Sequence, residues 1–335
     1  MATRLYIGDS GKQVPVVGVP VAKELGGFTI DNFIGAVDEN GKLLAPTQIT
    51  DVKWEGIKDV GDYAAWYLLQ NNASLQTLDL SSLEHISGSY ACSYMCYHCD
   101  NLREINLDNL KTITGNYACE YMFNRCWSLD SVTFPSLTDI SGEYACGFMF
   151  EYHPHNLTSV SFPSLKTITG MFTCYSMFSE CYSLENINLS QLTTISGDYC
   201  TYQMFQMFYT NNGNNIKTVD LPELTTISGT YAANCMFYNN NNLETVNLPK
   251  LTTLSGDRIC GGMFNGANLK SISFPQLTTI EGNAPFGYET WEYTFANCYN
   301  LTEIHFRSDM RSTVEALPGY DSRWGATNAT VYFDL

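Results

Sequence analysis

The chain has 335 residues and a formal net charge of −17, with 17 Lys and Arg against 34 Asp and Glu. This excess of negative charge repels phosphate backbones and anionic lipids, which argues against nucleic acid and membrane surfaces as partners. Charged residues make up only 15% of the chain and aromatic residues 13%, a composition that excludes long disordered spans.

The amino-terminal segment does not resemble a secretory signal, because it lacks a basic start followed by an apolar core. The sequence also contains no apolar run long enough to span a bilayer. We therefore expect the protein to be made and first folded in a cytosol, without membrane insertion.

A repeat of about 27 residues organises most of the chain, and residues 242–261 are its clearest copy. Each copy has a glycine after its second apolar pair, and the successive spacings between these glycines are 27, 27, 27, 28, 27, 32, 27 and 26 residues. A fixed period in this range predicts a solenoid in which each coil stacks on its neighbours. The marker glycines are Gly61, Gly88, Gly115, Gly142, Gly170, Gly197, Gly229, Gly256 and Gly282.

Alternation within one copy predicts a strand with one buried face. Ile105 and Leu107 are two residues apart and share a face, whereas Glu104 and Asn106 point to the other side. A Met-Phe pair such as Met122 and Phe123 follows at a fixed position in most copies. We interpret these pairs as core residues rather than as a ligand box.

The spacing L-x-x-I-x-L-x-x-L-x-x-I, followed by an aromatic residue, a Met-Phe pair and C-x-x-L, resembles the BspA-like class of leucine-rich repeats. This resemblance implies a β-rich, right-handed solenoid of about ten coils, with a parallel sheet along one face and a cap at each end. It also implies a role in adhesion and recognition rather than catalysis. The coils are longer than is usual for the class, and Met often replaces the Ala before Phe, so the conformation of the segment between strands stays open.

The repeat divides the chain into three predicted parts. Arg4–Gly8 and residues 13–19 are β-rich and flank a turn sequence, which predicts a small hairpin before the repeat. Alternation over Thr330–Phe333 predicts a last strand after it. The predicted parts are a short β-rich module at 1–52, the solenoid at 53–306 and a C-terminal cap at 307–335.

The 12 cysteines form columns rather than isolated clusters. Several lie four residues after a marker glycine, as Cys119 does, and others eleven residues after one, as Cys126 does. Neighbouring column residues have side chains that run in parallel rather than toward each other, so we favour buried, reduced thiols. The alternatives are disulfides and a zinc site formed by Cys92, Cys96, Cys99 and His98, with Cys119 and Cys126 one coil away.

Catalytic signatures are missing from the sequence. It contains no nucleophile elbow, zincin, phosphate-loop or dinucleotide-binding motif. We therefore predict no catalytic residue, no cofactor and no metal site.

Short polar side chains occupy the outward positions of the predicted strands. They leave a flat, hydrogen-bonding face with few aromatic anchors, which is compatible with partner binding and equally with simple solvation of the sheet. The candidate binding residues on this face are Asn186, Asn188, Asp220, Asn247 and His305.

Two coils exceed the period and gain loop residues, one around 209–215 and the other within 283–293. Insertions in repeat proteins collect on one face, often the binding face, although tolerated loop growth explains them as well. Large amphipathic rings suit sugar stacking or protein anchoring. The second insertion supplies the candidates Tyr288, Trp291 and Tyr293.

The favoured hypothesis is a non-enzymatic recognition or adhesion protein that presents its repeat surface to a protein or glycan on a bacterial or virion surface. Residues 5–8 and 324–330 are similar to repeat proteins encoded among bacteriophage tail genes. A structural virion component docked through the N-terminal module is therefore one alternative, and an enzyme with an unrecognised site is another. The sequence leaves the oligomeric state open.

Overall fold

A computed structural model describes residues 49–152, 156–208, 215–290 and 292–335, and the backbone of 4–8, 14–15 and 33–35. The repeat forms a parallel β-solenoid, and its coils place their strands in two rows. The strands are numbered β1 to β23 in chain order. This architecture confirms the solenoid of about ten coils that the glycine period predicts.

The first row takes one strand from each of ten coils. Its inward side chains are apolar and its outward ones polar, as in the alternating burial of Ser131, Val132 and Thr133. The first-row strands are β4 (Asp51–Glu55), β6 (Thr77–Asp79), β8 (Glu104–Asn106), β10 (Ser131–Thr133), β12 (Ser159–Ser161), β14 (Asn186–Asn188), β16 (Thr218–Asp220), β18 (Thr245–Asn247), β20 (Ser271–Phe274) and β22 (Glu303–Phe306).

The second row is one continuous parallel sheet of nine strands. Its outward positions are mostly Thr and Ser, in register from coil to coil, as Thr194 with Thr226 and Ser196 with Ser228. The second-row strands are β5 (Asp59–Val60), β7 (His85–Ile86), β9 (Thr112–Ile113), β11 (Asp139–Ser141), β13 (Thr167–Thr169), β15 (Thr194–Ser196), β17 (Thr226–Ser228), β19 (Thr253–Ser255) and β21 (Thr279–Glu281).

The core consists of columns of similar apolar side chains. The phenylalanines at the position of the Met-Phe pairs, from Phe123 to Phe295, stack with ring centroids 5.2 to 6.1 Å apart. Their interpretation as core residues is confirmed, since Met122 and Phe123 are both 0% exposed. Burial of such rings is the main source of stability in a solenoid, where each coil contributes one layer.

The marker glycines let successive coils approach closely after the second-row strands. A Cβ on Gly115 would lie 2.0 Å from the carbonyl oxygen of Gly88. Gly142 has a φ of +104°, which an L side chain rarely adopts. Both closeness and conformation therefore require glycine in this column.

The segment from each marker glycine to the next first-row strand is a ribbon of successive tight turns, here called the turn ribbon. Its N–H groups bond alternately within the coil and to the next coil: Glu120 N donates to Tyr117 O at 3.3 Å, and Tyr121 N donates to Gly147 O at 3.0 Å. Every fourth residue is left-handed, with φ of +57° at Tyr117, +53° at Tyr121 and +61° at Arg125. The intercoil hydrogen bonds offset the cost of these left-handed residues.

The N-terminal strands do not form the predicted hairpin. β1 (Arg4–Gly8) pairs in parallel with β4, and β2 (Val14–Pro15) pairs in parallel with β3 (Phe33–Gly35). The exposed edge of β4 offers unpaired backbone groups, which a strand added in parallel satisfies.

The C-terminal segment packs against the last coil. A 3₁₀ turn (Ser308–Met310), helix α1 (Arg311–Glu315) and a second 3₁₀ segment (Tyr320–Gly325) precede β23 (Thr330–Phe333), which pairs in parallel with β22. The strand predicted at Thr330–Phe333 is therefore confirmed. Trp324 is 0% exposed and its indole N–H donates to Pro318 O at 2.9 Å.

Candidate functional site

The first row is interrupted at three points, and a groove crosses each of them. The sheet pairing stops between β8 and β10, between β14 and β16, and between β18 and β20. The three grooves follow one another along the row and are lined mainly by outward polar side chains. A row of concave sites on one face is the arrangement that suits an extended partner.

The groove nearest the N-terminus has a volume of about 960 Å³ and the most charged lining. Its charged side chains come from three successive strands, β4, β6 and β8, and from residues just outside the strands. The sequence did not indicate this groove, because β4 precedes the first recognisable copy of the repeat. The charged residues of β4 therefore could not be matched to the outward positions of later strands. The charged lining residues are Asp51, Lys53, Asp79, Arg103, Glu104, Asp108 and Asp130.

The other two grooves hold four of the predicted binding residues. The middle groove, of about 820 Å³, is lined by Asn186, Asn188 and Asp220 among others. The third groove, of about 410 Å³, shares Asp220 and adds Asn247. The structure thus brings these four residues together along one face.

Not all four side chains are equally available to a partner. Asn188 accepts a hydrogen bond from Ser190 N at 3.1 Å and donates one to Ser161 Oγ at 3.1 Å, so its amide stabilises the turn after the strand. Asp220 and Asn247 are exposed, and neither side chain has a hydrogen-bonding partner among the described residues.

Proline explains this difference. Asp220 and Asn247 stand two residues before Pro222 and Pro249, at the position where Asn188 stands relative to Ser190. Proline has no N–H to donate, so the turn cannot engage these two side chains. Asp220 and Asn247 therefore remain free at the position where Asn188 is engaged, and Asn186 is likewise exposed without a side-chain hydrogen bond among the described residues.

His305 is held by the C-terminal segment. Its ring stacks on Tyr332 with centroids 4.9 Å apart, and Nδ1 lies 2.9 Å from Asp334 Oδ1. The outward strand position predicted for it is correct, but β23 lies beside it and occupies one side of the ring. His305 is thus part of the contact between the last coil and the cap.

The predicted insertion contributes one exposed ring among its described residues. Tyr288 is 57% exposed and lies 5.8 Å from the guanidinium of Arg258. Tyr293 instead packs against the core and beside Gly319, where a Cβ would lie 2.8 Å from its ring. Trp291 lies outside the described residues, as does the polar loop at 209–214.

Aromatic side chains also form two half-buried columns on the outside of the turn ribbon, which sequence analysis did not separate from the core rings. Their members have positive φ, at two and six residues after the marker glycine. We call the column at two residues after the glycine the long ring column and the one at six residues the short ring column. Centroids of neighbouring rings are 4.6 to 5.3 Å apart in the long ring column and 4.6 to 4.8 Å apart in the short ring column. The long column is Tyr63, Tyr90, Tyr117, Tyr144, Phe172, Tyr199 and Tyr231, and the short column is Tyr67, Tyr94, Tyr121 and Phe148.

The cysteines are buried and free, so their thiols act as small apolar groups in the core. Burial raises the pKa of Cys235, Cys260 and Cys298 to about 12, which keeps these thiols protonated. Within the described ranges, no group of three or more His, Cys, Asp or Glu side chains is placed to hold a metal ion.

Two partly buried carboxyl groups on the turn ribbon have perturbed pKa values. Burial raises the pKa of Glu120 and of Glu151 to about 7. Glu151 is only 8% exposed and accepts a hydrogen bond from Asn124 Nδ2 at 3.3 Å. Neither residue lies in the three grooves.

In the part of the chain that the structure describes, no helix has the length and apolar character needed to cross a membrane.

Comparison with solved structures found leucine-rich repeat proteins from bacteria. A leucine rich cell surface protein from Faecalibacterium prausnitzii is 17% identical, over 91% of this chain and 84% of that one, with a TM-score of 0.26. A leucine-rich repeat protein from Bacteroides ovatus is 15% identical, over 82% and 87%, with a TM-score of 0.21. An internalin from Listeria monocytogenes is 13% identical, over 85% and 74%, with a TM-score of 0.24.

A comparison with curated proteins found no match. The identities and TM-scores of the solved structures are too low to support a functional inference, and nothing in them supports the bacteriophage-tail interpretation. A family of repeats matches most of the chain, over residues 55–147, 89–220, 148–291 and 263–316, with six copies. This family typically forms non-enzymatic scaffolds for protein binding or adhesion, and its description is BspA type leucine rich repeat region. The chain belongs to the BspA-type leucine-rich repeat family.

Proposed function

We propose that the chain is a recognition or adhesion protein that presents its first-row face to a protein partner at a cell surface, without catalysis. The observation that carries this proposal is the succession of three polar grooves along one row of strands. Asp220 and Asn247 are the central contact residues, because they are exposed and their side chains have no hydrogen-bonding partner among the described residues.

The charge of the grooves favours a partner with a basic surface. Acidic side chains outnumber basic ones in the first groove, and the third groove contains Asp220 and Glu244 without a basic lining residue. Complementary charge steers association and selects among partners more than it adds affinity. A basic protein surface therefore fits this face better than an anionic or neutral glycan does.

The remaining parts of the chain have supporting roles in this proposal. Residues 307–335 close the solenoid as its C-terminal cap, whereas the predicted boundary at 52/53 falls within β4, a strand of the repeat body that β1 extends on its N-terminal side. Presentation at a bacterial surface is the location that this role requires.

The test is a binding assay of the labelled protein on bacterial cells, performed before and after protease treatment and after periodate oxidation of surface glycans. We expect protease to abolish binding and periodate to leave it unchanged, and Asp220→Ala with Asn247→Ala to weaken it at least about tenfold. The matched control is Thr226→Ala with Thr253→Ala, which removes two outward side chains of the second row. Loss of binding in this control with retention in the first-row variant would place the interface on the other face.

A further inference from the structure

We propose that an exposed patch at the end of the turn ribbon binds a sugar residue that carries one carboxylate, such as a hexuronic acid. The patch, here called the Trp127 patch, comes from three successive coils and consists of Tyr97, His98, Arg125, Trp127 and Tyr152. These residues stand nine to twelve residues after their marker glycines and line none of the three first-row grooves. The proposal therefore does not depend on the function proposed above.

The patch is open to solvent, because two of its rings are exposed. Trp127 is 46% exposed and Tyr152 is 44% exposed, whereas a core ring such as Phe123 is 0% exposed. Exposed aromatic surface is unfavourably hydrated, and a ligand that packs on it removes it from water. The two rings therefore offer apolar contact area to a ligand that approaches from solvent.

The rings and one cation form a connected group. The Trp127 ring lies 5.2 Å from the His98 ring, and the His98 ring lies 6.0 Å from that of Tyr97. The guanidinium carbon of Arg125 lies 6.0 Å from the centroid of the Tyr97 ring and 5.8 Å from that of the Tyr152 ring. An apolar contact surface and a positive charge thus lie within one patch.

The guanidinium of Arg125 has no anionic partner. It forms no ion pair and no side-chain hydrogen bond with any residue that the structure describes. Two carboxyl groups of the same coils are engaged elsewhere: Glu151 is buried and accepts a hydrogen bond from Asn124 Nδ2, and Asp100 Oδ1 lies 2.8 Å from His98 Nδ1. A guanidinium presents its N–H donors in a planar fork that matches the two oxygens of one carboxylate. Arg125 is therefore the group that recognises a carboxylate.

The charge of the chain limits the ligand to few negative charges. The patch has one unpaired cation, and the net charge of −17 repels an acidic peptide with several carboxylates. At physiological salt, charges farther away than about 8 Å are largely screened, so a single carboxylate beside Arg125 is still attracted. The ligand that fits has one carboxylate next to an apolar surface for the Trp127 ring.

A hexuronic acid meets both conditions. Its pyranose ring presents C–H groups that pack on an aromatic ring, and its single carboxylate is attached to that ring. Polar groups for its hydroxyls are also present, since the His98 and Asp100 side chains are each 32% exposed. The contact between His98 Nδ1 and Asp100 leaves Nε2 of the imidazole for a sugar hydroxyl.

The patch is an open surface rather than a cavity, so a single sugar residue binds weakly there. Attachment to cells in the assay described above is therefore governed by the first-row face, and the patch is tested with free sugars.

The experiment is titration of the whole protein with methyl β-glucuronide at about pH 6, followed by saturation-transfer NMR of the sugar and by tryptophan fluorescence. The sugar carboxylate is ionised at this pH, whereas burial raises the pKa of Glu151 to about 7 and keeps this neighbour of Arg125 mostly uncharged. We expect the glucuronide to bind and methyl β-glucoside, which lacks the carboxylate, to bind at least about tenfold more weakly. Tighter binding of N-acetylglutamate α-amide than of the glucuronide would make an acidic peptide the ligand and overturn the proposal.

The cation is tested by Arg125→Gln, which should weaken glucuronide binding at least about tenfold. The matched control is Arg103→Gln, which removes an exposed arginine of the first groove and should leave binding unchanged. Both variants should keep the far-UV circular dichroism of the parent protein.

The ring is tested by Trp127→Ala, which should weaken glucuronide binding at least about threefold. The matched control is Tyr299→Ala: Tyr299 follows Cys298 as Trp127 follows Cys126 and is 76% exposed, but Asn297 stands where Arg125 stands in that coil. This control should bind like the parent protein. The proposal is wrong if the two glycosides bind equally, if Arg125→Gln retains the parent affinity, or if Tyr299→Ala weakens binding as much as Trp127→Ala does.

Discussion

Arg258 and Glu292 form an ion pair that ties the second insertion to the turn ribbon, with Nη1 3.2 Å from Oε1. Glu292 is only 3% exposed, and its other carboxylate oxygen accepts a hydrogen bond from Tyr288 N at 3.4 Å. Arg258 also donates to the hydroxyl of Tyr231 at 2.7 Å. The guanidinium of Arg258 therefore lies between Tyr231, the last ring of the long ring column, and the exposed ring of Tyr288.

Loss of this arginine should be costly because it leaves a buried carboxylate unpaired. We expect Arg258→Met to lower the free energy of unfolding by about 3 kcal/mol, as measured by urea denaturation. Lys250→Met removes an exposed ion pair with Glu223 and should cost less than about 0.5 kcal/mol. Similar losses in both variants would mean that Glu292 finds another partner.

The marker glycines give a second prediction, since a side chain at this position meets the backbone of the preceding coil. A Cβ on Gly115 would lie 2.0 Å from Gly88 O, so Gly115→Ala should destabilise the protein by about 3 kcal/mol. Thr114→Ala changes the exposed neighbouring residue and serves as the control. Equal midpoints of thermal unfolding for the two variants would show that the coils leave room for a methyl group at residue 115.

The period, the strands and the buried rings were predictable from the sequence because each depends on a pattern that recurs in every coil. Ile105 and Leu107 alternate with polar residues, and Phe123 recurs at a fixed distance from its marker glycine. Such patterns report burial directly, since repeated coils place equivalent residues in one column.

The turn ribbon was not predictable, because tyrosine is not a residue that usually adopts positive φ. Tyr117 and Tyr121 do so because intercoil hydrogen bonds and ring stacking, neither of which is visible in a single copy, stabilise that conformation. Sequence position also placed His305 and Asn188 among the outward residues without showing that each already has a partner. The partner of His305 is Asp334, which directly follows β23, and the partner of Asn188 is the backbone N–H of Ser190, where other coils have proline.

Glu151 gives a prediction about pH. Burial raises its pKa to about 7 from the ordinary value of 4.5, and the neighbouring Glu180 adds to this while Asn124 and Arg125 oppose it. The folded state thus holds the proton more tightly than the unfolded state, so this stabilising contribution is present below about pH 4.5 and is lost as the pH rises through about 7. We expect Glu151→Gln to match the parent protein at low pH and to exceed its stability by about 3 kcal/mol at pH 8.

The measurement for Glu151 is the free energy of unfolding of both proteins at several pH values across this window. The control is Glu244→Gln, whose side chain is exposed on the first row and should show no such pH-dependent difference. A difference that is constant with pH would show that the carboxyl group does not titrate in this range.

The thiols give a chemical prediction that does not require a variant. The 12 cysteines are buried and free, so a thiol reagent should label none of them in the folded protein and all of them after unfolding without reductant. Mass spectrometry of the labelled protein counts the modified residues. Fewer labels after unfolding would reveal disulfides and overturn the assignment of both cysteine columns to the apolar core.

The core columns predict how far a local defect spreads. Phe178 is 0% exposed and stacks between Phe150 at 5.2 Å and Phe205 at 5.3 Å, so Phe178→Ala should cost about 3 to 5 kcal/mol. Each coil contacts only its neighbours, and the loss should therefore be concentrated in the adjacent coils. Hydrogen exchange followed by mass spectrometry should show faster exchange there and parent rates near β6 and β22.

The control for this defect is Phe208→Ala, because Phe208 lies about one coil further along the chain but is 49% exposed. This variant should change the free energy of unfolding by less than about 0.5 kcal/mol. The hydrogen-exchange rates of the core strands should stay those of the parent protein. Uniformly faster exchange along the whole solenoid in Phe178→Ala would mean that the coils unfold as one cooperative unit rather than as coupled layers.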